Sequence, residues 1–149
     1  MNELDHDGLR IRPMVEADAE FVAQLAAELG YPSDVESIRT RMKAISGSDL
    51  LLVAVTVGDR PIGFIQANRF CIVEVGFRVE ILGLVVSSTA RRTGIGRKLL
   101  AGAERWARSI GIETVIVRSN TKRTEARDFY PAMGYELIKT QAAYRKRMH

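Results

Sequence analysis

The sequence has few of the residues that build metal centres and disulfide frameworks. Its 149 residues include one cysteine and two histidines, and the histidines are His6 and His149, near the two ends. A single cysteine forms no internal disulfide, and two distant histidines argue against a histidine-based triad or metal centre. We therefore expect no metal, and we expect Cys71 to be a small packed residue rather than a nucleophile.

Long apolar runs are also absent. No run reaches the roughly 20 residues that span a bilayer, and the first seven residues are acidic and polar, unlike a signal peptide. We therefore expect no membrane partner and a cytoplasmic location. Hydrophobic residues make up 46% of the chain and charged residues 27%, which is typical of a globular protein. The length predicts a single domain over residues 1–149.

The two parts of the chain differ in charge. Residues 1–60 contain 6 Lys or Arg and 11 Asp or Glu, a net charge of −5, whereas residues 61–149 contain 16 and 7, a net charge of +9. The second part is therefore suited to binding an anion and the first to binding a cation. The alternative for the second part is a solvated basic surface that binds no ligand. No helix-turn-helix or aromatic platform pattern is present, so we expect no nucleic-acid partner.

Glycines divide the chain into short elements with clear periodicity. Alternating or β-branched runs predict strands at residues 9–13, 50–57, 61–67, 72–86, 114–117, 135–139 and 142–146, with bulges at Gly76 and Gly83 and the last two strands as a hairpin. Apolar residues at helical spacing predict helices at residues 21–29, 35–45, 95–110 and 123–133. A capping box over residues 33–36 opens the second helix. This order predicts an α/β (α+β) domain of three layers.

The stretch from Leu82 to Leu100 carries the chemical signal. It is a strand, a glycine-containing loop and an amphipathic helix. The free N–H groups and the dipole at a helix N-terminus favour an anion, and Gly94 and Gly96 permit close approach to that backbone. Four cationic residues surround the same turn, which suits a pyrophosphate. The spacing fits neither a Walker loop nor the dinucleotide fingerprint, and a glycine-rich helix start without a ligand is the alternative.

This segment resembles the acetyl-CoA signature of the GNAT superfamily of N-acetyltransferases. The signature, Gln/Arg-x-x-Gly-x-Gly/Ala, is matched by residues 91–96, and a second family block is matched by Asn120 and residues 126–135. The resemblance covers nearly the whole chain. It implies a GNAT-like three-layer domain in which a central mixed sheet with splayed fourth and fifth strands has helices on both faces. It also implies acetyl-CoA as co-substrate.

The resemblance implies positions for the co-substrate. Backbone groups of the fourth strand would bind the pantetheine arm, the loop and helix start would bind the pyrophosphate, and an asparagine would lie near the pantetheine. In this sequence the cofactor-binding residues are Leu84, Val85, Val86, Arg91, Arg92, Thr93, Gly94, Ile95, Gly96, Arg97 and Asn120. An ordinary buried strand is the alternative for residues 84–86, and the two interpretations are compatible because the contact uses backbone.

Two side chains are candidates for catalysis. A glutamate at the position of Glu80 acts as general base in the protein-acetylating branch of the family. The alternative for Glu80 is a non-catalytic residue, on an exposed strand face or in a salt bridge with a neighbouring arginine. If Glu80 is not the base, Glu74 or water is the other candidate. Tyr130 occupies the family's tyrosine position, where a phenol would donate a proton to the departing thiolate. The alternative is that Tyr130 is an aromatic residue packed in the core. Pro131 follows it directly and leaves open the direction in which the Tyr130 side chain points. An N–H near Val86 would bind the oxyanion.

These features together predict an N-acetyltransferase. The expected reaction transfers an acetyl group from acetyl-CoA to a primary amine of a small molecule, peptide or protein by direct attack in a ternary complex. A non-catalytic CoA-binding or sensor module is the alternative. The family often dimerises, so a homodimer is possible. The acceptor's identity and the use of other acyl-CoAs are left open by the sequence.

Overall fold

The structure is a computed structural model that describes residues 8–45, 47–91 and 93–149. His6 and Arg92 lie outside the described residues. The chain divides into two compact units, one that ends at Arg118 and one from Ser119 to His149, and each is described by itself. Among the described residues, no helix is long and apolar enough to cross a membrane.

Nine helices and strands are described, besides short 3₁₀ turns. They are β1 (Arg10–Pro13), α1 (Ala19–Glu28), α2 (Val35–Ile45), β2 (Asp49–Val55), β3 (Pro61–Ile72), β4 (Gly76–Val86), α3 (Ile95–Ser109), β5 (Val115–Val117) and α4 (Thr124–Ala132). The strands form one sheet in the order β1-β2-β3-β4-β5. The first four strands are antiparallel and β5 is parallel to β4, which confirms the predicted mixed sheet.

A β-bulge interrupts β4 near the centre of the sheet. Gly83 is opposite Gln66 and Ile81 is opposite Ala67, so Leu82 has no partner on β3. This bulge lies where Gly83 predicted one. The parallel pairing with β5 covers only Val79–Ile81, and in the described sheet the rest of β4 has no neighbour on that side. This is the predicted splay between the fourth and fifth strands.

Helix α3 packs closely on one face of the sheet. A Cβ placed on Gly63 would lie 3.2 Å from Ile95 Cγ2 and 3.3 Å from Leu99 Cδ1, and a Cβ on Gly102 would lie 2.8 Å from Leu52 Cδ1. These glycines let the helix and strands approach where any larger side chain would crowd the core. The apolar face predicted for this helix is therefore buried on the sheet.

Helices α1 and α2 cover the other face. Their buried residues Ala19, Val22, Ala23 and Ile38 form one cluster, against which Phe64 of β3 packs. Because Phe64 and Gly63 are adjacent on a strand, their side-chain directions are opposite. Helices therefore lie on both faces of the sheet, as the sequence predicted.

An ion-pair network ties β1 to the turn before α1. The guanidinium of Arg12 lies 2.8 Å from the carboxylate of Asp18 and 2.9 Å from that of Asp59. Asp18 is only 3% exposed and also accepts a hydrogen bond from the Val15 backbone at 2.8 Å. The hydrogen bond from Arg12 to Asp18 contributes most to raising the pKa of Arg12 above its usual value, so this arginine stays charged.

Three local predictions need correction. The N-cap of α2 is Asp34, whose carboxylate accepts hydrogen bonds from the backbone N–H and hydroxyl of Ser37, rather than a capping box of Ser33 and Glu36. Gly76 begins β4 with a φ of 101°, so it serves the β3–β4 turn and not a bulge. Cys71 is exposed because β3 continues beyond Asn68, where its pairing with β2 ends.

The predicted hairpin at residues 135–139 and 142–146 is also wrong. No strand is found after α4. The side chains of Leu137, Ile138 and Tyr144 are largely exposed, so the segment has no buried face of its own. β-Propensity reflects packing on a half-buried surface, and the alternation of residues alone did not predict whether such a surface exists.

Candidate active site

The open side of β4 presents a specific set of backbone groups. Ser87 donates its N–H to the carbonyl of Ile62 on β3 at 2.8 Å. Backbone polar groups alternate between the two sides of an antiparallel strand, so Val85 is bonded towards β3, whereas Leu84 and Val86 face the unpaired side. The side chain of Val85 is only 4% exposed and anchors the strand. An extended ligand can therefore hydrogen-bond to Leu84 and Val86.

The N-terminus of α3 follows shortly after this strand and has no side-chain cap. Its N-cap is Gly94, which has a φ of 83°, and a Cβ added there would meet no described atom within 4 Å. The hydrogen bond from the Lys98 N–H to the Gly94 carbonyl begins the helical ladder, so the preceding N–H groups have no intrahelical acceptor. Such a helix start binds anions.

The remaining residues of the predicted pyrophosphate loop surround this helix start. Arg91, Thr93 and Arg97 are exposed, whereas Ile95 is buried and anchors the first turn. The Thr93 hydroxyl donates to the Ala90 carbonyl, which braces the loop. Positive side chains at the rim of a helix N-terminus strengthen the attraction for an anion.

The loop is also joined to α1 on its other side. The carboxylate of Glu28 accepts a hydrogen bond from the Ser88 backbone N–H at 3.0 Å. A cleft of about 410 Å³ lies beside this contact, lined by Phe21, Gln24, Leu25, Glu28, Thr56, Arg60, Pro61, Ile62, Ser87 and Thr89. The start of the loop is therefore fixed to a helix and not left as free coil.

Glu80 lies on β4 just before the bulge. It is paired across the sheet with Asn68, its side chain is only 14% exposed, and its Oε1 lies 3.1 Å from Nε of Arg118. The salt bridge with an arginine, considered for Glu80 from the sequence, is therefore present. It engages one carboxylate oxygen and leaves the other available for a proton. Glu74, the alternative base, lies instead in the exposed turn between β3 and β4.

A polar strip accompanies Glu80 on this face of the sheet, made of Asp49, Gln66, Asn68 and Glu80. The carboxylate of Asp49 accepts hydrogen bonds from Gln66 Nε2 at 2.8 Å and from Asn68 Nδ2 at 2.9 Å. Four residues of this region were not predicted from the sequence: Asp49, Gln66, Asn68 and Arg118. The available signal was polar residues at alternate positions of apolar strands, since Gln66 and Asn68 have the spacing of one strand face.

The second unit contains Tyr130 on α4. Its ring makes edge contacts with Phe129 and Tyr135, at centroid distances of 5.0 and 5.8 Å. Burial raises the pKa of Tyr130 above its usual value, so its hydroxyl is protonated at neutral pH. Pro131 is tolerated because α4 ends one residue later and the chain closes with a hydrogen bond from the Tyr135 N–H to the Tyr130 carbonyl.

Asn120 lies in the turn that precedes α4. Its side-chain oxygen accepts a hydrogen bond from the Lys122 N–H at 2.9 Å, and its backbone carbonyl accepts one from the Arg123 N–H at 2.9 Å. This is a local Asx-type turn. It gives Asn120 a structural role within its own unit in addition to the predicted position near the pantetheine.

Comparisons with solved structures show that other proteins have the same fold. Similar crystal structures include a transcriptional regulator from Bacillus halodurans C-125, with a TM-score of 0.84 and 23% identity, covering 93% of this chain and 99% of that one. The aminoglycoside 6'-N-acetyltransferase AAC(6')-Ih from Acinetobacter baumannii has a TM-score of 0.82 and 18% identity, with coverages of 95% and 100%. AAC(6')-Iy in complex with CoA has a TM-score of 0.83 and 22% identity, with coverages of 94% and 95%.

Similarities at this level of identity show the fold, and the family is shown by sequence. No curated protein sequence matches the chain. The family model described as "Acetyltransferase (GNAT) family" matches residues 18–135, a span that includes β4, the loop, α3 and α4. The chain therefore belongs to the GNAT family of acetyltransferases.

Proposed function

We propose that this protein transfers the acetyl group of acetyl-CoA to a primary amine, by direct attack within a ternary complex. The observation that carries this proposal is the continuity of two binding features along one stretch of chain. β4 presents unpaired backbone groups at Leu84 and Val86, and it leads into the uncapped N-terminus of α3 at Gly94. A pantetheine amide chain and a pyrophosphate have the same order in acetyl-CoA.

Each part of the co-substrate has a matching group in this stretch. The pantetheine arm would lie along β4 as a further strand and bond to Leu84 and Val86, while the buried Val85 holds the strand in place. The pyrophosphate would bind the free N–H groups of residues 94–97, with Arg91 and Arg97 adding charge. We place Arg92, Thr93 and Asn120 in the same site, as the family resemblance implies.

The chemistry requires removal of one proton and donation of another. An alkylamine has a pKa of about 10 and is mostly protonated at neutral pH, so Glu80 would accept its proton through the carboxylate oxygen that Arg118 leaves free. The amine nitrogen then attacks the thioester carbonyl, and a backbone N–H near Val86 stabilises the oxyanion. As the C–S bond breaks, Tyr130 would donate its phenolic proton to the CoA thiolate.

The first test is the release of CoA thiol from acetyl-CoA with pooled acceptors. The pools are polyamines, aminoglycosides, amino acids and basic peptides, and aminoglycosides are included because the similar structures include aminoglycoside N-acetyltransferases. Exposed Cys71 contributes a thiol background, so a Cys71→Ser variant and a blank without acceptor are the controls. Release in one pool supports the proposal.

Other outcomes separate the alternatives. If acetyl-CoA binds in calorimetry but no pool releases thiol, the result favours a CoA-binding module over a transferase with these acceptor classes. If acetyl-CoA does not bind, the proposed co-substrate site is wrong. A homodimer and a cytoplasmic location stay predictions, for sedimentation analysis and for fractionation of cells.

A further inference from the structure

We infer that the acceptor carries two positively charged groups and that Asp49 binds the one that does not react. This inference rests on the proposed acetyl transfer and assigns an acceptor class to the same site. It comes from the polar strip (Asp49, Gln66, Asn68 and Glu80), whose residues are not among those assigned to binding the co-substrate.

The strip has a defined geometry. Asp49, Asn68 and Glu80 are directly paired across β2, β3 and β4, so their side chains share one face of the sheet. Neighbouring strands are about 4.8 Å apart, which places the backbones of Asp49 and Glu80 about 10 Å apart. A ligand that contacts both carboxylates must therefore lie across three strands.

Asp49 is held in place by neutral groups. Gln66 and Asn68 each donate one hydrogen bond to it, and the hydroxyl of Ser48 lies 3.2 Å from its Oδ1. Within residues 8–45, 47–91 and 93–149, no cationic side chain is found within 4.0 Å of its oxygens. A carboxylate has about four acceptor positions, so Asp49 keeps both its charge and room for a cationic donor.

Glu80 is in a different situation, because Arg118 already neutralises it. The two carboxylates therefore differ in how far their charge is compensated. Glu80 is kept as the proposed base, while Asp49 provides a negative charge that is compensated only when a cation binds. Partial burial strengthens such a charge interaction relative to one in open water.

The same face offers space between these residues. Gly83 is opposite Gln66, and a Cβ added to Gly83 would meet no described atom within 4 Å. Further along the face, Val53, Phe64 and Val85 form an apolar row, and Phe64 packs against the helix cluster. The free volume therefore coincides with the polar part of the face, where an elongated amine would lie between β4 and β2.

The test compares two acceptors that differ in one charge. Hexamethylenediamine and its amino-alcohol counterpart, in which a hydroxyl replaces one amine, are titrated by calorimetry at neutral pH into the protein loaded with CoA. Because a hydrogen bond between two charged groups is roughly twice as strong as a neutral one, we expect the diamine to bind about tenfold or more tightly than the amino alcohol. Ethylenediamine is too short to reach both carboxylates and should show no such preference.

The decisive variant is Asp49→Asn, which keeps the size and hydrogen-bonding capacity of the side chain. It should remove the preference for the diamine, because the variant leaves Glu80 as the one carboxylate of the polar strip that can bind an ammonium group. Glu113→Gln, which changes the net charge equally at an exposed position just before β5, should keep the preference. Circular dichroism checks that both variants are folded. The inference is overturned if wild type shows no preference, if neither amine binds, or if Asp49→Asn retains the preference.

Turnover of the same acceptors separates this inference from the proposed function. A diamine preference in binding without thiol release from acetyl-CoA would contradict the transferase proposal and support the dication site. Thiol release with both amines at equal kcat/KM, together with equal binding, would support the transferase proposal and overturn the role of Asp49.

Discussion

Glu80 and Asp49 show how two carboxylates on one sheet face acquire different chemistry. Glu80 is compensated by Arg118 at 3.1 Å, whereas Asp49 is held by the amides of Gln66 and Asn68. Neutral donors orient a carboxylate without cancelling its charge, while a guanidinium does both. The identity of the partner, and not the acid itself, therefore decides which of the two carboxylates has a negative charge that no described cationic side chain compensates.

Replacing Glu80 by Gln should lower kcat/KM about a hundredfold or more, because general-base catalysis contributes at least that much in comparable reactions. The affinity for acetyl-CoA, measured by calorimetry, should not change. The acidic limb of the pH–rate profile should disappear, since it reports protonation of the base. Glu74→Gln is the matched control and should behave as wild type. A Glu80→Gln enzyme that retained its acidic limb would exclude this residue as the base.

Gly94 allows a comparison that separates charge from strain. Its φ of 83° is tolerated by Asn and Asp better than by most residues, so Gly94→Asn and Gly94→Asp carry similar backbone strain. Only the aspartate places a negative charge at the helix start. We expect Gly94→Asp to weaken acetyl-CoA binding about tenfold beyond Gly94→Asn. Equal affinities of the two variants would show that the pyrophosphate binds elsewhere.

Among the helices and strands, β1 is held in place by side-chain ion pairs as well as by its backbone pairing with β2. It has four residues, and Arg12 within it bridges Asp18, next to α1, and Asp59, in the β2–β3 turn. These contacts join segments that are distant in sequence. They fix the entry to α1 and hence one wall of the cleft beside Ser87 and Thr89.

The substitution Asp18→Ala should therefore destabilise the protein. It leaves the guanidinium of Arg12 without its most buried partner, and removal of one member of such a pair costs about 3 kcal/mol of the free energy of unfolding. Asp59→Ala removes an exposed partner of the same arginine and should cost much less. Urea denaturation of both variants measures the difference. Similar midpoints for the two would show that burial of Asp18 adds nothing.

At the scale of the whole molecule, acid should unfold the protein partly through two aspartates. The Ser37 backbone N–H lowers the pKa of Asp34, and the Arg12 side chain lowers the pKa of Asp59, below the usual 3.8. A carboxyl with a lower pKa in the folded state stabilises that state above the unfolded pKa, and this contribution is lost as the pH falls through the folded pKa.

The stabilisation by these aspartates should accordingly be constant from neutral pH to about pH 5 and decline below about pH 4. Thermal unfolding followed by circular dichroism across this range gives the curve. Asp34→Asn should have a lower Tm than wild type at neutral pH, and the difference should shrink in acid. A difference that is independent of pH would assign the effect to helix propensity and not to the carboxylate charge.

The segment proposed to bind the co-substrate could be singled out from the sequence because its signal is local. The spacing of Arg91, Gly94 and Gly96 and the switch from strand to helix lie within a short stretch. The polar strip and the Arg12 network were missed, since Asp49 meets Gln66 and Arg12 meets Asp59 only through strand register and turn geometry. The strands predicted at residues 135–139 and 142–146 were wrong for a related reason, because alternation of residues produces a strand only where a partner surface exists.

The unmatched Leu82 gives β4 a change of parity. Before it, odd-numbered residues up to Ile81 bond towards β5, and after it the even-numbered Leu84 and Val86 face that side. The extra residue is absorbed within the bulge, because a regular strand one residue shorter would direct the backbone of Leu84 and Val86 to the same side. Loss of Leu82 should therefore leave both the Glu80 side chain and the ligand edge facing as they do, whereas loss of one residue from a regular part of β4 would turn one of them to the opposite side.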